Sequence, residues 1–106
     1  MVCFHQDSPY KALDPGVKRK ILAAGGGLMT AQFHFHKGAI GVPHSHPNEQ
    51  VGYVVSGSVD LTLEGKTQTL RAGDSYYVPS GLVHGVKALE DTVLIDVFTP
   101  QREDFI

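Results

Sequence analysis

The sequence has a single cysteine, little net charge and no long hydrophobic run. The lone thiol, Cys3, cannot close a disulfide within the chain, which fits a reducing compartment. The lysines and arginines are scattered and the net charge is −2, so no basic stripe is available for nucleic acid. No apolar stretch is long enough for a signal segment or a membrane span. We therefore predict a cytoplasmic protein that binds neither nucleic acid nor membranes.

The length and composition favour one folded domain. A chain of 106 residues has room for a single core, and its 42% hydrophobic and 19% charged residues are ordinary for a globular protein. Residues 1–16 contain Pro9, Pro15 and Gly16 among polar residues without any periodicity. We expect residues 1–16 to form an extended N-terminal arm and residues 17–106 to form the domain.

The rest of the chain consists of short apolar or alternating runs separated by glycine and proline turns. Seven strands are predicted, at residues 17–24, 29–37, 51–55, 59–63, 67–71, 75–78 and 92–98. No long helical pattern interrupts them. Many short strands at near-regular spacing predict an all-β fold, and we favour an antiparallel jelly-roll β-barrel.

A cluster of histidines indicates a metal site. His44 and His46 are two residues apart, so an extended backbone sends both imidazoles to the same face. Gln50 has the same parity, whereas Glu49 should point the other way, and His84 can supply a third imidazole from a neighbouring strand. Three histidines and one neutral oxygen suit one divalent transition metal ion, such as Ni, Zn, Fe or Mn.

The spacing alone leaves a simpler alternative open, because a His-x-His pair on a strand more often faces solvent than binds a metal. The chain contains such a second pair in His34 and His36, which alternate with Phe33 and Phe35. The phenylalanines are better core residues. We therefore expect His34 and His36 to face outward.

Two ordered motifs distinguish the first histidine pair from the second. Residues 38–57 match the pattern G(x)5HxH(x)3-4E(x)6G, with Gln50 in place of glutamate, and residues 73–88 match G(x)5PxG(x)2H(x)3N, with Ala88 in place of asparagine. In these motifs the chain resembles the cupin family, whose fold is a jelly roll also called a double-stranded β-helix. The resemblance implies that His44, His46, Gln50 and His84 bind the metal.

The last predicted strand carries an ionisable residue in an apolar run. Asp96 shares parity with Leu94 and Phe98, so its side chain should point into the interior, where an unpaired carboxylate is costly. A salt bridge or a capped loop would explain it structurally, and a general acid or base tuned by burial would explain it functionally. Arg102 follows the strand, and its guanidinium could hold a carboxylate bidentately, through two parallel N–H hydrogen bonds. It could equally be an ordinary surface arginine.

The tyrosines are ambiguous. Parity places Tyr53 opposite Gln50, and we interpret it as a core residue. One of Tyr76 and Tyr77 should face inward, since neighbours in a strand alternate.

Three segments, at residues 44–57, 73–79 and 96–105, look more specifically like the KdgF pectin-degradation cupins. That resemblance implies an enzyme that converts 4,5-unsaturated monouronates from pectin or alginate breakdown into linear keto forms. Asp96 and Arg102 would be catalytic, and Phe98 and Arg102 would contact a small anionic sugar.

Other functions remain open from the sequence. A cupin with three histidines could also be a metal-dependent oxygenase or a sugar isomerase. A non-catalytic cupin that binds a small ligand is a further alternative. The N-terminal arm makes a homodimer plausible, because such arms often pair with a partner's sheet edge.

Overall fold

Burial alternates regularly along three of the strands, and their buried faces show how the sheets pack. The computed structural model describes residues 1–106. Its ten strands are β1 (Lys11–Ala12), β2 (Val17–Gly25), β3 (Leu28–Phe35), β4 (Ile40–His44), β5 (Glu49–Ser56), β6 (Ser58–Leu63), β7 (Lys66–Arg71), β8 (Ser75–Val78), β9 (His84–Ala88) and β10 (Thr92–Thr99). Two short 3-10 helices, His5–Asp7 and Glu103–Phe105, lie near the chain ends. None of the helices has the length and apolar character needed to cross a lipid bilayer.

The strands form two antiparallel sheets. One has six strands in the order β1-β2-β3-β10-β5-β8, and the other has four in the order β4-β9-β6-β7. In β10 the residues alternate between fully and partly buried, and in β5 between exposed and buried over most of its length. The buried sides of the sheets face each other and enclose the main hydrophobic cluster, which consists of Val17, Phe35, Val54, Val59, Ala88 and Leu94.

The predicted all-β jelly roll is confirmed, with one difference. No strand pairing joins the two sheets, so they form a two-sheet sandwich and not a continuously hydrogen-bonded barrel. All seven predicted strands are present, within two residues at each end. Strands β1, β4 and β9 were not predicted: β1 has two residues, and β4 contains Pro43 and is mostly exposed.

Part of the predicted arm joins the larger sheet. Strand β1 pairs antiparallel with β2, and the Ser8 hydroxyl donates a hydrogen bond to the Ile21 carbonyl. The ammonium of Lys20 also donates to the backbone carbonyl of His5, over 3.1 Å. The arm is therefore held along β2, and its division from the domain at residue 16 remains a prediction.

The interpretation of Tyr53 as a core residue was wrong. Gln50 is on the interior face of β5, so the opposite parity sends Tyr53 to the outer face, where it is 48% exposed. Phe35 is buried as expected, and His36 is exposed while His34 is half-buried. The outward orientation predicted for this pair is thus seen at His36, and His34 is only partly open to solvent.

Candidate metal centre and substrate cavity

Three imidazoles meet at one end of the four-stranded sheet. His44 ends β4 and is the direct cross-strand partner of His84, which begins β9, while His46 lies in the loop that leads to β5. The ring centre of His84 is 4.5 Å from that of His44 and 4.9 Å from that of His46. One potential ligand atom from each histidine lies within 4.8 Å of the others. The three histidines are therefore positioned for metal binding.

The hydrogen bonds of these rings determine which nitrogen is free. In each histidine Nδ1 contacts a backbone carbonyl two residues away, and a carbonyl can only accept, so Nδ1 carries the proton. The bonds join His44 to Val42, His46 to Asn48 and His84 to Leu82, over 2.9, 3.0 and 2.9 Å. Each Nε2 keeps its lone pair for a metal, as expected for a histidine ligand oriented by its other nitrogen.

The electrostatics agree with this donor set. Burial, and to a lesser extent the Arg102 guanidinium, lower the pKa of His46. Burial also lowers the pKa of His84, partly offset by its bond to the Leu82 carbonyl. Both rings are thus held in the neutral form that coordinates metals.

Gln50 offers a fourth donor. Its Oε1 atom is 3.1 Å from Nε2 of His46, and in the tautomer described above both atoms are acceptors. Facing lone pairs repel unless a cation lies between them. The side chain of Gln50 also acts on Asp96, whose pKa it lowers. Glu49 points the other way, as predicted, and accepts a hydrogen bond from the Tyr77 hydroxyl. The four side chains fit a metal ion.

Asp96 lies on the interior face of β10 and is only 3% exposed. Its carboxylate forms no salt bridge and instead accepts a 2.7 Å hydrogen bond from the Tyr76 hydroxyl. Burial raises the pKa of Asp96 to about 6, although hydrogen bonds from Tyr76 and Gln50 and the charge of Arg102 act in the opposite direction. A group with such a pKa is available both to give and to accept a proton near neutral pH.

The bond between Tyr76 and Asp96 depends on a glycine. Gly52 of β5 is paired with Tyr76 of β8 on one side and with Asp96 of β10 on the other. A Cβ atom at position 52 would lie 2.0 Å from Cζ of Tyr76 and 2.4 Å from Oδ1 of Asp96. The gap above Gly52 therefore lets the two side chains meet across β5. Tyr76 is the inward-facing member of its pair, and Tyr77 is exposed.

Arg102 is buried and is not an ordinary surface arginine. Its Nε and Nη2 atoms donate to the two carboxylate oxygens of Asp104, over 2.9 and 2.7 Å. The guanidinium carbon lies 4.3 Å from the ring centre of Phe105 and 5.3 Å from that of Phe98. Asp104 thus occupies the Nε–Nη2 edge of Arg102 and leaves the Nη1–Nη2 edge open.

A cavity of about 310 Å³ connects these groups. His44, Gln50, His84, Asp96, Phe98 and Arg102 all line it. So do Tyr76, which the sequence offered as one of two inward-facing tyrosines, and Phe105 and Arg19, for which it predicted no role. A glycine inside a strand could have pointed to Gly52, whereas Arg19 lies between two lysines and no local pattern distinguishes it from them.

Comparison with known proteins agrees with the motifs and the fold. Residues 31–98 match the family model of the cupin domain. The chain is 43% identical over 102 residues to the pectin degradation protein KdgF of Dickeya dadantii (strain 3937), covering 94% of this chain and 93% of that protein.

Two solved structures share the whole fold. KdgF from Halomonas sp. superposes with a TM-score of 0.95 at 37% identity, covering 100% of this chain and 98% of that one. An RmlC-like cupin from Shewanella frigidimarina also gives a TM-score of 0.95 at 37% identity, covering 99% and 95% of the two chains. From its sequence, fold and histidine cluster, the chain belongs to the cupin family and, within it, to the family of the pectin degradation protein KdgF.

Proposed function

We propose that the protein is a metal-dependent isomerase that converts 4,5-unsaturated monouronates from pectin or alginate breakdown into linear keto forms. The observation that carries the proposal is the cavity itself, where buried Asp96 lies beside the histidine cluster in a chain of the KdgF family. The pectin degradation named for the Dickeya relative supports a small anionic sugar as the substrate.

His44, His46 and His84 through Nε2, and Gln50 through Oε1, would hold one divalent transition metal ion such as Ni, Zn, Fe or Mn. A bound ion would supply electrophilic stabilisation of negative charge on substrate oxygens. The neutral amide of Gln50 adds no negative charge to this ligand set. An anionic substrate is therefore easier to accommodate than it would be beside a glutamate ligand.

The reaction needs a proton at carbon. When the cyclic hemiacetal opens, it releases an enol, and the enol becomes a ketone by gaining one proton at carbon and losing one from oxygen. No atom is gained or lost overall, so the step is an isomerisation. In its acid form Asp96 can give the proton, and as a carboxylate it can take one back. The hydrogen bond from the Tyr76 hydroxyl fixes the direction in which the carboxyl group points.

Two further side chains would orient the sugar. Phe98 presents its ring to the cavity and is held in place by edge contacts with His46 and Phe105. Asp104 holds the Nε–Nη2 edge of Arg102, which leaves the Nη1–Nη2 edge of its guanidinium for substrate oxygens. We assign Asp96 and Arg102 to catalysis, and Phe98 and Arg102 to substrate binding.

Asp96→Asn tests the catalytic assignment. It keeps the shape of the side chain but removes the exchangeable acid, so we expect kcat to fall by about 10²-fold or more. The vinyl proton of the substrate, followed by NMR, reports turnover, and metal analysis reports the ligand set. The control is Asp7→Asn, at an exposed aspartate near the N-terminus and distant from Asp96 in the sequence, and it should leave kcat unchanged. Normal turnover by Asp96→Asn, or loss of its metal, would contradict the role of Asp96.

The alternative functions make different predictions. An oxygenase would consume dioxygen in proportion to substrate loss, whereas ketonisation would not. A sugar isomerase would act on saturated aldoses or ketoses, and a purely binding cupin would retain the sugar without altering it.

The homodimer also remains a proposal. An apolar stripe on the outer face of the larger sheet, formed by Val51, Tyr53, Val55 and Tyr77, is about half exposed and is consistent with self-association. Light scattering of the purified protein distinguishes a dimer from a monomer.

A further inference from the structure

Arg19 is an arginine inside the substrate cavity. It lies on β2, is 5% exposed, and lines the cavity together with Asp96, Phe98 and Arg102. Its neighbour Lys18 has the opposite parity on the same strand and is only half-buried, with its ammonium over the ring of Tyr10. Position 19 is thus the place where β2 directs a cation inward.

The guanidinium of Arg19 has no acidic partner. Its Nε atom is buried and makes no hydrogen bond, and no carboxylate lies within 4.0 Å of the group. Asp104 attracts Arg19 at longer range, but its carboxylate already accepts two hydrogen bonds from Arg102. A buried donor without a partner costs folding free energy, so the chain maintains here a hydrogen-bonding group that its own side chains do not use.

A single aromatic ring aligns the two arginines. The guanidinium carbon of Arg19 lies 3.7 Å from the ring centre of Phe105, and that of Arg102 lies 4.3 Å from the same centre. Phe105 is itself packed edge-on against Phe33 and Phe98. The stacked guanidinium of Arg19 is therefore oriented before any ligand arrives, and an anion bound in the cavity would offset the repulsion between the two cations.

We propose that Arg19 binds the carboxylate of the sugar and makes the cavity selective for uronates over neutral sugars. The proposal rests on the proposed function for the class of ligand. It assigns the carboxylate to Arg19 because the Arg19 guanidinium makes no hydrogen bond within the protein, whereas Asp104 already holds the Nε–Nη2 edge of Arg102. Arg102 then contacts the sugar through its remaining Nη1–Nη2 edge.

Arg19→Met tests this assignment, because it removes the charge and leaves an unbranched apolar side chain in place of the arginine. Metal-loaded proteins are titrated with D-galacturonate and, separately, with D-galactose, which differs by the carboxylate. We expect the wild type to prefer galacturonate, and Arg19→Met to bind it about tenfold more weakly with unchanged affinity for galactose. Lys18→Met, which removes the same charge from the other face of β2, should retain the preference.

The unfolding temperature of the variant distinguishes a role of Arg19 in binding from a role in stability. Because the buried charge is unpaired, Arg19→Met should unfold at the same temperature as the wild type or higher. If that variant does not fold, Arg19→Lys serves instead, and it should keep the preference for galacturonate with a smaller loss of affinity. Unchanged galacturonate affinity in the variants, equal losses for both sugars, or a wild type without any preference would overturn the proposal.

The outcome is independent of turnover. If galacturonate binding needs Arg19 but the protein does not convert the unsaturated uronate, the carboxylate site at Arg19 stands and the proposed ketonisation is wrong. If the protein ketonises the uronate but Arg19→Met binds galacturonate as well as the wild type does, the proposed function stands and the role of Arg19 is wrong.

Discussion

At the scale of single residues, the proposed chemistry depends on a carboxyl group whose environment disfavours its charge. Asp96 is buried, and burial is the main reason that its pKa rises to about 6 from an ordinary value of 3.8. The protonated form is therefore favoured by folding. Between these two pH values the unfolded chain has lost the proton while the folded chain still holds it, so Asp96 lowers stability as the pH rises through this window.

The raised pKa of Asp96 predicts how Asp96→Asn changes the free energy of unfolding of the metal-free protein. At pH 8 the substitution removes a buried charge, and we expect it to stabilise the fold by an amount on the order of 2–3 kcal/mol. At pH 4 or below the carboxyl group is protonated in the folded state, and the difference should largely vanish. Urea unfolding at the two pH values measures it, with Asp7→Asn as the control. A variant less stable than the wild type at pH 8 would show that the carboxylate is compensated.

Residue parity and spacing predicted part of the site. The even spacing of His44, His46 and Gln50 predicted that they act together, although the structure joins them from two sheets and the loop between, and Asp96 could be placed inside because its strand alternates. The pairing of Tyr76 with Asp96 could not be predicted, since it joins two strands across a third. Arg19 could not either, because nothing local distinguishes an inward cation from its neighbouring lysines.

At the scale of elements, the position of β5 between β8 and β10 brings the cavity residues together. It is hydrogen-bonded to β8 on one side and β10 on the other, so the three strands together carry Tyr76, Gly52, Gln50 and Asp96. The hydrogen bond between Tyr76 and Asp96 requires glycine at position 52, because any side chain there would clash with the Tyr76 hydroxyl.

Gly52→Ala should therefore impair the site more than an ordinary glycine substitution. The new methyl group would displace Tyr76 and Asp96, and we expect a destabilisation on the order of 1–3 kcal/mol, typical of overpacking, with a large loss of kcat. Gly25→Ala is the matched control, because that strand glycine has no atom within 4 Å of the added Cβ. Chemical denaturation and the vinyl-proton assay measure both effects. Normal activity in Gly52→Ala would contradict the positioning of Asp96 by Tyr76.

The element predictions from sequence succeeded where hydrophobic alternation was strong. Strands β6 and β10 alternate clearly and were placed within a residue or two, whereas β4 is mostly exposed and contains a proline. The residues of β9 were recognised only through His84. Pairing with neighbouring strands, and not local pattern, makes these segments extended.

At the scale of the whole molecule, the proposed metal would connect the two sheets. His44 and His84 belong to the four-stranded sheet, Gln50 belongs to the six-stranded sheet, and His46 lies between them. A ligand that binds only the folded state stabilises it by mass action.

Metal removal should therefore lower the unfolding temperature of the protein. With free metal at 100 to 1,000 times its Kd, the stabilisation expected is about 3–4 kcal/mol. Differential scanning calorimetry of chelator-treated and reloaded protein measures it. A variant with all three histidines changed to alanine is the control and should show no metal-dependent shift, while an equal shift in that variant would place the metal elsewhere.

The central claim is that the protein ketonises an unsaturated uronate. The most direct test is an NMR time course of metal-loaded protein with fresh 4,5-unsaturated galacturonate, generated in place by a lyase, beside a protein-free control and an oxygen electrode. We predict that the vinyl proton signal disappears faster with the protein, that linear keto signals replace it, and that no oxygen is consumed. A rate equal to that of the protein-free control would contradict the claim.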